Sequence, residues 1–450
     1  MLNNFRLRIR ARLQPRALLD NSLVSNTVGT VLLLASLCAF PLKHRLGLRV
    51  SATRRLTTPS LQKLGQRLLR PWLSPDNAEH WRRERIRWEP YVRRINDGKG
   101  EQTLTTSLLL KEPGENGEKG VLYCSFEYNW MKLLSHPGVR HFFNDYLLVG
   151  ASSWSPTDHG VLANLCGLSE DPVYVGISNI SDIRQYAMFV PGIFPLPILA
   201  CDWLDPADFR PKPRDQRDID ILMVSHFAPW KRHWLLFEAL SEMPEDLRVV
   251  LIGRNVPGRT EKELRNEARA FGVRQELTIY RNLEIDEVMR HQCNAKVAVA
   301  LSKREGSCVA VTEALFADTP VVMMNDAHVG SRAYIKEYTG RVTSRRALAR
   351  TLTEMIRASA NYAPGNWAIE HISAQASSNK LNELLKQHSL GKGKPWTCDI
   401  APLCWRYVPR YVDPMDRMRM RAGIERLRKK HGIVLEEFVS EKKAAERKAS

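Results

Sequence analysis

The stretch "REGSCVAVTEALFADTPVV" at residues 304–322 decides how the sequence can be interpreted. It places two glutamates, Glu305 and Glu313, around a Gly-Ser-Cys turn, with seven residues between them. Glu305 ends a transition from strand to loop, and a helix can begin near Cys308 or Val309, where the amides would suit a phosphate or sugar hydroxyls. Two acceptor-only carboxylates suit the vicinal hydroxyl groups of a polyhydroxyl ligand. Glutamates near a helix start also act as caps, so the spacing alone leaves a structural role open.

Short apolar runs alternate with amphipathic stretches after residue 218, which is typical of β-α-β units and a parallel sheet. The predicted strands are Ile219–Ser225, Leu247–Gly253, Leu277–Leu283, Lys296–Ser302 and Thr319–Asn325, with helices at Trp230–Ser241 and Glu261–Phe271. Three similar apolar runs occur earlier, at Lys119–Phe126, Asp145–Ser152 and Pro172–Ser178. The pattern predicts an α/β protein with two Rossmann-like, doubly wound domains that face a cleft. Ligands bind such domains at the carboxyl ends of their strands.

A charged segment rich in proline joins the two halves at residues 205–218, as is usual for a linker. We therefore predict five regions. They are a basic and apolar membrane-associating segment (1–75), a first Rossmann-like domain (76–210), a second Rossmann-like domain (211–365), a helix that packs back on the core (366–390), and a basic, helical C-terminal extension (391–450).

The net charge of +18 is confined to the two ends of the chain. Residues 1–75 hold 13 Lys and Arg with one acid, and residues 401–450 hold 13 Lys and Arg with seven acids. The middle segment, 76–400, holds 41 bases and 41 acids. A groove for nucleic acid would leave the core domains positive, so neutral domains between basic ends favour an anionic membrane surface as the partner.

An uncharged run of 22 residues lies at positions 21–42. Polar residues dilute its first half, and its strongly apolar part of about a dozen residues favours a monotopic, membrane-lying helix. A single span or a transit peptide remains open, and bases flank the run evenly, so its orientation is undetermined. We expect the protein at the cytoplasmic face of a membrane. The eight cysteines form no C-x-x-C pair and no zinc spacing, which favours reduced thiols.

Four segments together carry a family resemblance. The stretch "EGSCVAVTEALFADTPVV" resembles the E-x7-E element of retaining glycosyltransferases with the two-Rossmann (GT-B) architecture, family 4 and its relatives. Three further segments agree with the family pattern in order and spacing, namely "ILACDWLDPADFRP" (198–211), "MVSHFAPWKRHWLLFEAL" (223–240) and "VVLIGR" (249–254). The resemblance covers about residues 195–385, and the combination is specific where any one segment would be weak.

The resemblance implies roles for the residues of the opening stretch. Glu305 would bind the hydroxyls of the donor sugar, and Glu313 the ribose of the nucleotide. The amides of Gly306, Ser307 and Cys308 would contact the sugar and the phosphates. The donor is then a nucleotide sugar, which is a co-substrate, and no bound metal or further cofactor is expected.

Further site residues follow from the same resemblance. Lys231 matches the family's basic residue on the donor diphosphate, where a point charge stabilises the leaving group. His226 stands where the family has an arginine; it could donate a hydrogen bond to phosphate, with a charge that varies near neutral pH. In the family a histidine of the first domain often lies near the reacting sugar; no motif assigns it here, but His159 is a candidate, and Glu127 at a predicted strand end is a comparable one. A surface histidine at a helix start is the alternative for His159.

The sequence departs from the family pattern at three places. Asp202-Trp203 replaces Asn-Gly before the linker, Asp318 replaces a glycine before Thr-Pro, and "CSFEYNWMKLL" (124–134) replaces a Gly-rich turn. Together with His226 in place of the family's arginine, Asp318 and the missing Gly-rich turn keep a second hypothesis open, a degenerate member that binds a sugar nucleotide or glycan without turnover. A third hypothesis is nucleic-acid or phosphoinositide binding by the basic ends. The favoured interpretation is a membrane-associated enzyme that moves a sugar, with retained anomeric configuration, from a nucleotide sugar to a glycan or lipid-linked acceptor.

Overall fold

The computed structural model describes residues 4, 7–9, 22–38, 48–49, 52, 55–56, 58–69, 103–152, 162, 165–179, 192–405 and 408–436. The chain divides into two compact units. Unit 1 contains Met1–Leu32, Ser51–Gln62 and Pro206–His371. Unit 2 contains Leu33–Val50, Lys63–Asp205 and Ile372–Ser450. The second Rossmann-like domain is predicted to run from residue 211 to residue 365, and the main segment of unit 1 runs from Pro206 to His371.

The described chain forms strands in both units, and short helices connect most of those of unit 1. The strands are β1 (Thr103–Leu104), β2 (Ser107–Lys111), β3 (Gly120–Ser125), β4 (Tyr146–Ala151), β5 (Val173–Ile177), β6 (Ile193–Leu199), β7 (Ile219–Val224), β8 (Val249–Gly253), β9 (Leu277–Arg281), β10 (Ala295–Ala300), β11 (Val321–Met324), β12 (Gly340–Thr343), β13 (Leu403–Trp405), β14 (Pro409–Tyr411) and β15 (Val434–Leu435). The helices are α1 (Ser22–Cys38), α2 (Pro59–Leu69), α3 (Glu127–Ser135), α4 (Val139–Asp145), α5 (His233–Leu240), α6 (Glu261–Phe271), α7 (Ile285–Cys293), α8 (Val309–Phe316), α9 (Leu348–Arg357), α10 (Pro364–Ile372), α11 (Ala374–Gly391), α12 (Pro414–Arg419) and α13 (Arg421–His431).

Unit 1 is a doubly wound sheet of six parallel strands in the order β12-β11-β10-β7-β8-β9. Counted from β7, this is the 3-2-1-4-5-6 order of the Rossmann fold, so the predicted fold class is confirmed for this unit. The apolar runs form the strands because both sheet faces are covered, and Leu222, Val250 and Ala295 are core residues. Helix α6 has the predicted limits, and the capping box of Thr260 and Glu263 explains its start.

Unit 2 contains a five-stranded sheet in the order β2-β3-β4-β5-β6. Strand β2 pairs antiparallel with β3, and the other pairs are parallel, so this unit is also α/β with a Rossmann-like sheet. The sequence predicted β3, β4 and β5 but not β2 or β6. Strand β6 carries Pro195 and Pro197, which a central strand would not tolerate, and it lies at the sheet edge where a missing N–H donor costs little.

The described part of the C-terminal extension belongs to unit 2. Strands β13 and β14 form an antiparallel hairpin, and β15 pairs in parallel with β1. The hydroxyl of Tyr411 donates a hydrogen bond to the Leu109 carbonyl at 2.7 Å, and the Ala374 amide at the start of α11 donates one to Leu204 at 2.8 Å. Residues 372–436 therefore complete unit 2.

Three residues keep a left-handed backbone, namely Trp203 and Asp318, which replace glycines of the family pattern, and Arg232. The φ angles are +88° at Trp203, +55° at Arg232 and +53° at Asp318. Each such angle is unfavourable for a side chain with a Cβ, by about 1–2 kcal/mol. Tertiary contacts hold these positions, because Trp203 is fully buried, Arg232 pairs with Asp326 at 2.8 Å, and Asp318 pairs with Arg214 at 2.8 Å. At Trp203 and Asp318 the residue therefore differs from the family pattern, while the backbone keeps the left-handed conformation.

Helix α1 is the described part of the uncharged N-terminal run, and it has 17 residues. Among the described residues, no helix combines the length and the apolar character needed to cross a bilayer. Four large apolar side chains of α1 are exposed, namely Leu23, Val31, Leu34 and Leu37. Membrane association of this segment remains a proposal.

A buried ion pair fixes the C-terminal extension to the sheet of unit 2. Lys111 on β2 pairs with Glu118, and both side chains are almost fully buried. The Thr397 amide and hydroxyl each donate a hydrogen bond to the Glu118 carboxylate at 2.7 Å, and the Lys111 ammonium lies 3.4 Å from the centre of the Trp396 ring. Burial alone would raise the pKa of Glu118, but the hydrogen bonds from Lys111 and Thr397 outweigh it and lower that pKa.

We expect Glu118→Gln to destabilise unit 2 by about 3–5 kcal/mol, because it leaves the Lys111 ammonium buried without its counter-charge. The lowered pKa means that the stabilisation is present at neutral pH and is lost as the pH falls through the folded-state value. Urea unfolding at several pH values measures both effects. The matched control is Glu354→Gln, which removes an exposed partner of Arg341 and should change little. Equal stability of the two variants would contradict the assignment.

Candidate functional site

The candidate site lies at the point where the strand order of unit 1 reverses. Strands β7 and β10 are neighbours and run in parallel, while the chain leaves β7 towards β8 and leaves β10 towards β11. The loops after the two strands therefore diverge and leave a crevice between them at the carboxyl edge of the sheet. Ligands of doubly wound sheets bind at such a switch point.

Lys231 and Glu305 meet at this crevice. Lys231 follows β7 in a short 3-10 turn, and Glu305 follows β10. The Lys231 ammonium donates hydrogen bonds to both carboxylate oxygens of Glu305, at 2.7 and 2.6 Å. The side chains are 12% and 16% exposed, so both remain accessible at the surface of the crevice. Burial alone would lower the pKa of Lys231, but the Glu305 carboxylate outweighs it and raises that pKa, which keeps the ammonium charged.

Helix α8 begins next to this pair, as predicted. Cys308 has a left-handed φ of +60° and precedes the first helical residue, and within the described chain no side-chain hydrogen bond caps the helix start. The Gly306 carbonyl accepts a hydrogen bond from the Gly330 amide at 2.8 Å, which fixes the turn. Burial and then the nearby Glu305 raise the pKa of the Cys308 thiol to about 12, so this thiol is not a nucleophile near neutral pH.

Two serine hydroxyls lie buried beside this turn. The Ser331 amide donates a hydrogen bond to the Ser307 carbonyl at 3.2 Å, which brings the two residues together. Neither side-chain oxygen has a hydrogen-bond partner within the described residues. A buried hydroxyl without a partner costs about 1–3 kcal/mol, and such groups are often found where a ligand binds.

Glu313 lies inside unit 1 and does not face open solvent. It is 6% exposed, and one carboxylate oxygen accepts a hydrogen bond from the Gln292 side-chain amide at 3.1 Å. Burial raises the pKa of Glu313. The place of Glu313 on the second turn of α8 turns its carboxylate towards α7. Its predicted contact with a ribose stays a prediction.

An arginine that the sequence analysis did not single out stands beside His226. Arg254 follows β8, the neighbour of β7, and its Nε donates a hydrogen bond to His226 Nδ1 at 2.7 Å. Burial, followed by the charges of Arg254 and Lys231, lowers the pKa of His226. His226 is therefore neutral at physiological pH, and the expected change of its charge moves below neutrality. The nearby positive charge belongs to Arg254.

The two candidate catalytic residues of the first domain, His159 and Glu127, have no described side chain. His159 lies outside the described residues, and so does the side chain of Glu127, whose backbone begins α3. Strand β3 ends immediately before Phe126, where the family pattern has a Gly-rich turn. Phe126 has a φ of +68°, and its ring stacks on Tyr128 with centroids 5.6 Å apart. The loop after β3 is thus held by aromatic packing.

A comparison with protein families finds one family that is similar to the part of the chain that contains this site. The family described as "Glycosyl transferases group 1" matches residues 205–391, which contain Lys231, Glu305 and Glu313. Residues 205–391 are similar to glycosyltransferases of this family. The resemblance predicted from the sequence is confirmed at the level of this family, and the match does not distinguish family 4 within it.

The comparison with curated proteins found no match. Among solved structures, sucrose-phosphate synthase from Thermosynechococcus elongatus is similar, with 15% identity over 60% of this chain and 74% of that one and a TM-score of 0.46. Anabaena HepE in complex with UDP is similar with 16% identity, 58% and 78% coverage, and a TM-score of 0.46. At this level of likeness, the activity has to be argued from the residues themselves.

The sequence analysis missed Arg254, Gln292 and Ser331 as neighbours of the site. Arg254 follows β8, Gln292 lies on α7 and Ser331 follows β11, so they are far apart in the sequence. No local sequence pattern distinguishes them from other polar residues. All eight cysteines lie in the described residues, and none of them forms a disulfide. Within the described residues, no three His, Cys, Asp or Glu side chains are grouped so that they could hold a metal ion.

We expect Glu305→Gln to make the Lys231 amine more reactive, because burial then lowers the pKa of Lys231 without a counter-charge. Competitive acylation at mildly alkaline pH, read by mass spectrometry, measures the change. Lys296, which pairs with Asp220 at 2.8 Å in the same unit, is the internal reference and should label equally in both proteins. An unchanged ratio of Lys231 to Lys296 labelling would contradict the coupling of Lys231 to Glu305.

Proposed function

We propose that this protein is a retaining glycosyltransferase that moves a sugar from a nucleotide-sugar donor to a glycan or lipid-linked acceptor. The observation that carries the proposal is the Lys231–Glu305 pair at the switch point of unit 1, next to the uncapped start of α8. In this proposal unit 1 binds the donor and unit 2 the acceptor, and no bound metal is required. Retention rests on the resemblance to the E-x7-E element, since nothing else in the site distinguishes it from inversion.

The ion pair can hold a donor without breaking. An ammonium has three donor hydrogens, and the two hydrogen bonds to Glu305 leave one for a phosphate oxygen. Each carboxylate oxygen of Glu305 accepts one of these bonds and keeps a lone pair for a sugar hydroxyl. Lys231 would then stabilise the negative charge that develops on the leaving diphosphate, while Glu305 orients the sugar.

The start of α8 supplies neutral donors to the same ligand. Its first amides carry partial positive charge and suit a phosphate oxygen. The hydroxyls of Ser307 and Ser331 lie beside this turn and have hydrogen-bonding capacity to offer. A bound sugar nucleotide would satisfy them and recover the free energy lost by burying them.

The presence of Arg254 weakens the case for a degenerate member that binds a donor without turnover. The degenerate-member hypothesis rests on the replaced arginine at position 226, on Asp318 and on the missing Gly-rich turn. Arg254 brings a guanidinium to His226, and Asp318 keeps the left-handed backbone that a glycine would adopt. We propose that Arg254 takes over the contact with the donor diphosphate and that the neutral His226 positions it.

Membrane association is the remaining part of the proposal, with the cytoplasmic face as the location. It is supported by the net charge of +12 on residues 1–75 and by the exposed apolar side chains of α1. Such a helix binds at the interface through its apolar face while the basic residues attract anionic lipids. A membrane-bound enzyme has ready access to a lipid-linked acceptor.

The proposed donor site predicts that nucleoside diphosphates and their sugar conjugates raise the melting temperature, since they bind the folded state only. Lys231→Ala should weaken this binding by about 1.5–3 kcal/mol, or about tenfold to a hundredfold in Kd. A panel of bases and sugars in a thermal-shift assay identifies the donor, and product analysis by NMR then gives the anomeric configuration.

The control for that assay is Lys296→Ala, which removes a paired lysine of unit 1 that lies outside the crevice. Folded wild-type protein that responds to no nucleotide or nucleotide sugar would refute the donor site. Binding without transfer to any offered acceptor would favour the degenerate-member hypothesis.

The pairing of His226 with Arg254 predicts a compensating exchange. Arg254→Ala should weaken donor binding by about tenfold, because it removes a charge-assisted contact. His226→Arg alone should not improve binding, since two guanidinium groups would then lie side by side. The double variant His226→Arg with Arg254→His restores one arginine and should recover most of the affinity.

Isothermal titration with the donor identified above measures the four proteins of this cycle. Arg248→Ala, an exposed arginine just before the opposite end of β8, is the control for loss of charge. Independent, additive effects of the two substitutions would show that the residues do not share one role.

A further inference from the structure

The surface formed by α12 and α13 in unit 2 exposes apolar side chains that the core does not use. Met415 and Met418 are three positions apart on α12, so they share one face of the helix. They are 63% and 71% exposed, whereas Met420 at the end of the helix is buried. Exposed apolar side chains placed together on a helix are typical of a surface that meets a partner.

Positive charge surrounds these methionines. Residues 408–431 hold eight Lys and Arg and three acids, a net charge of +5. The acids are engaged within the surface, because Asp413 accepts a hydrogen bond from the Met415 amide at 2.8 Å, and Asp416 pairs with Arg419 at 3.2 Å. The third acid, Glu425, pairs with Arg428 at 2.6 Å. The surface therefore presents an excess of positive charge.

The two helices are fixed to the rest of unit 2. The Gly423 amide donates a hydrogen bond to a Glu112 carboxylate oxygen at 2.9 Å, and a Cβ at Gly423 would collide with that side chain. At the end of α13, the Nε2 of His431 donates a hydrogen bond to the Asp145 carboxylate at 2.9 Å. The surface is thus preorganised, and binding would not have to order it first.

We infer that the side chains of Met415, Arg417, Met418, Arg419 and Arg421, named here the Met-Arg surface, dock unit 2 on an anionic lipid bilayer. This inference rests on the proposed membrane association and is independent of the proposed sugar transfer. It adds a second contact to the one proposed for the N-terminal segment, and it places that contact on the unit proposed to bind the acceptor.

A bilayer explains both chemical features of the surface. Anionic headgroups attract the arginines, and each base near the surface adds to binding. The methionines reach the apolar boundary below the headgroups, while the aliphatic parts of the arginine side chains extend beside them. A nucleic acid would use the charges and leave both methionines in water. The pair of methionines therefore favours a lipid surface.

Sedimentation of the full-length protein with vesicles tests the inference. The vesicles are phosphatidylcholine alone or phosphatidylcholine mixed with phosphatidylglycerol, each at low and high salt. We expect binding to the anionic vesicles only, and Arg417→Gln, Arg419→Gln and Arg421→Gln together should lower the partition coefficient by about tenfold or more. Met415→Gln with Met418→Gln should lower it by about threefold or more at unchanged charge.

Matched variants separate this surface from general charge and general apolarity. Arg248, Arg290 and Arg350, all strongly exposed in unit 1, are changed together to glutamine to remove the same charge. Ile369 and Leu390, two exposed apolar residues, are changed to glutamine to match the methionines. Both control variants should bind vesicles as the wild type does, and urea unfolding checks that every variant is folded.

Several results would overturn the inference. If the folded variants of the Met-Arg surface bind vesicles as strongly as the wild type, the membrane contact lies elsewhere. If the control variants lose as much binding as these variants do, the binding depends on general charge or apolarity and not on this surface. Retention on RNA that falls in the arginine variant, with vesicle binding unchanged, would make the surface a nucleic-acid site. Wild-type protein that ignores anionic vesicles would remove the membrane proposal altogether, while the nucleotide-induced thermal shift would still report separately on the donor site.

Discussion

The adjacency of β7 and β10 is the constraint on which the candidate site depends. These strands are the first and fourth of their sheet in chain order, and only the reversal of strand order makes them neighbours. Lys231 and Glu305, which are 74 positions apart, meet because each follows one of these strands. A largely buried ion pair contributes little to stability once its desolvation is counted. Its effect is to hold a positive and a negative group at fixed positions beside the start of α8.

Much of unit 1 could be predicted because its information is local. Runs such as Val321–Met324 are buried on both faces and stay apolar throughout, and the end of α6 is marked by Gly272. The E-x7-E spacing is also a local pattern, since α8 begins within it. What the sequence could not give was the direction of each side chain. Glu313 points inward to Gln292, and Arg254 at the end of β8 contacts His226 at the end of the adjacent β7. Neither contact can be predicted from the residues next to these positions in the sequence.

The left-handed residues show a different limit of pattern matching. Trp203, Arg232 and Asp318 adopt the backbone angles for which glycine is favoured, and each is held by burial or by an ion pair. The requirement at these positions is a backbone angle, and glycine is only the least costly residue that meets it. When tertiary contacts stabilise the left-handed angle of another residue, the turn is kept although the glycine of the family pattern is absent. The missing glycines are therefore no argument against the fold.

The order of the segments along the chain has a consequence for how the protein is made. Unit 2 takes strands from residues before 206 and closes with β13, β14 and β15, so the whole of the second Rossmann-like sheet lies between its two parts in the sequence. On the ribosome, unit 1 is complete when residue 371 has emerged, while unit 2 still lacks Tyr411, which bonds to β2, and Val434, which pairs with β1. The earlier-synthesised half therefore finishes folding last, and until then its apolar strands are exposed to association with other chains.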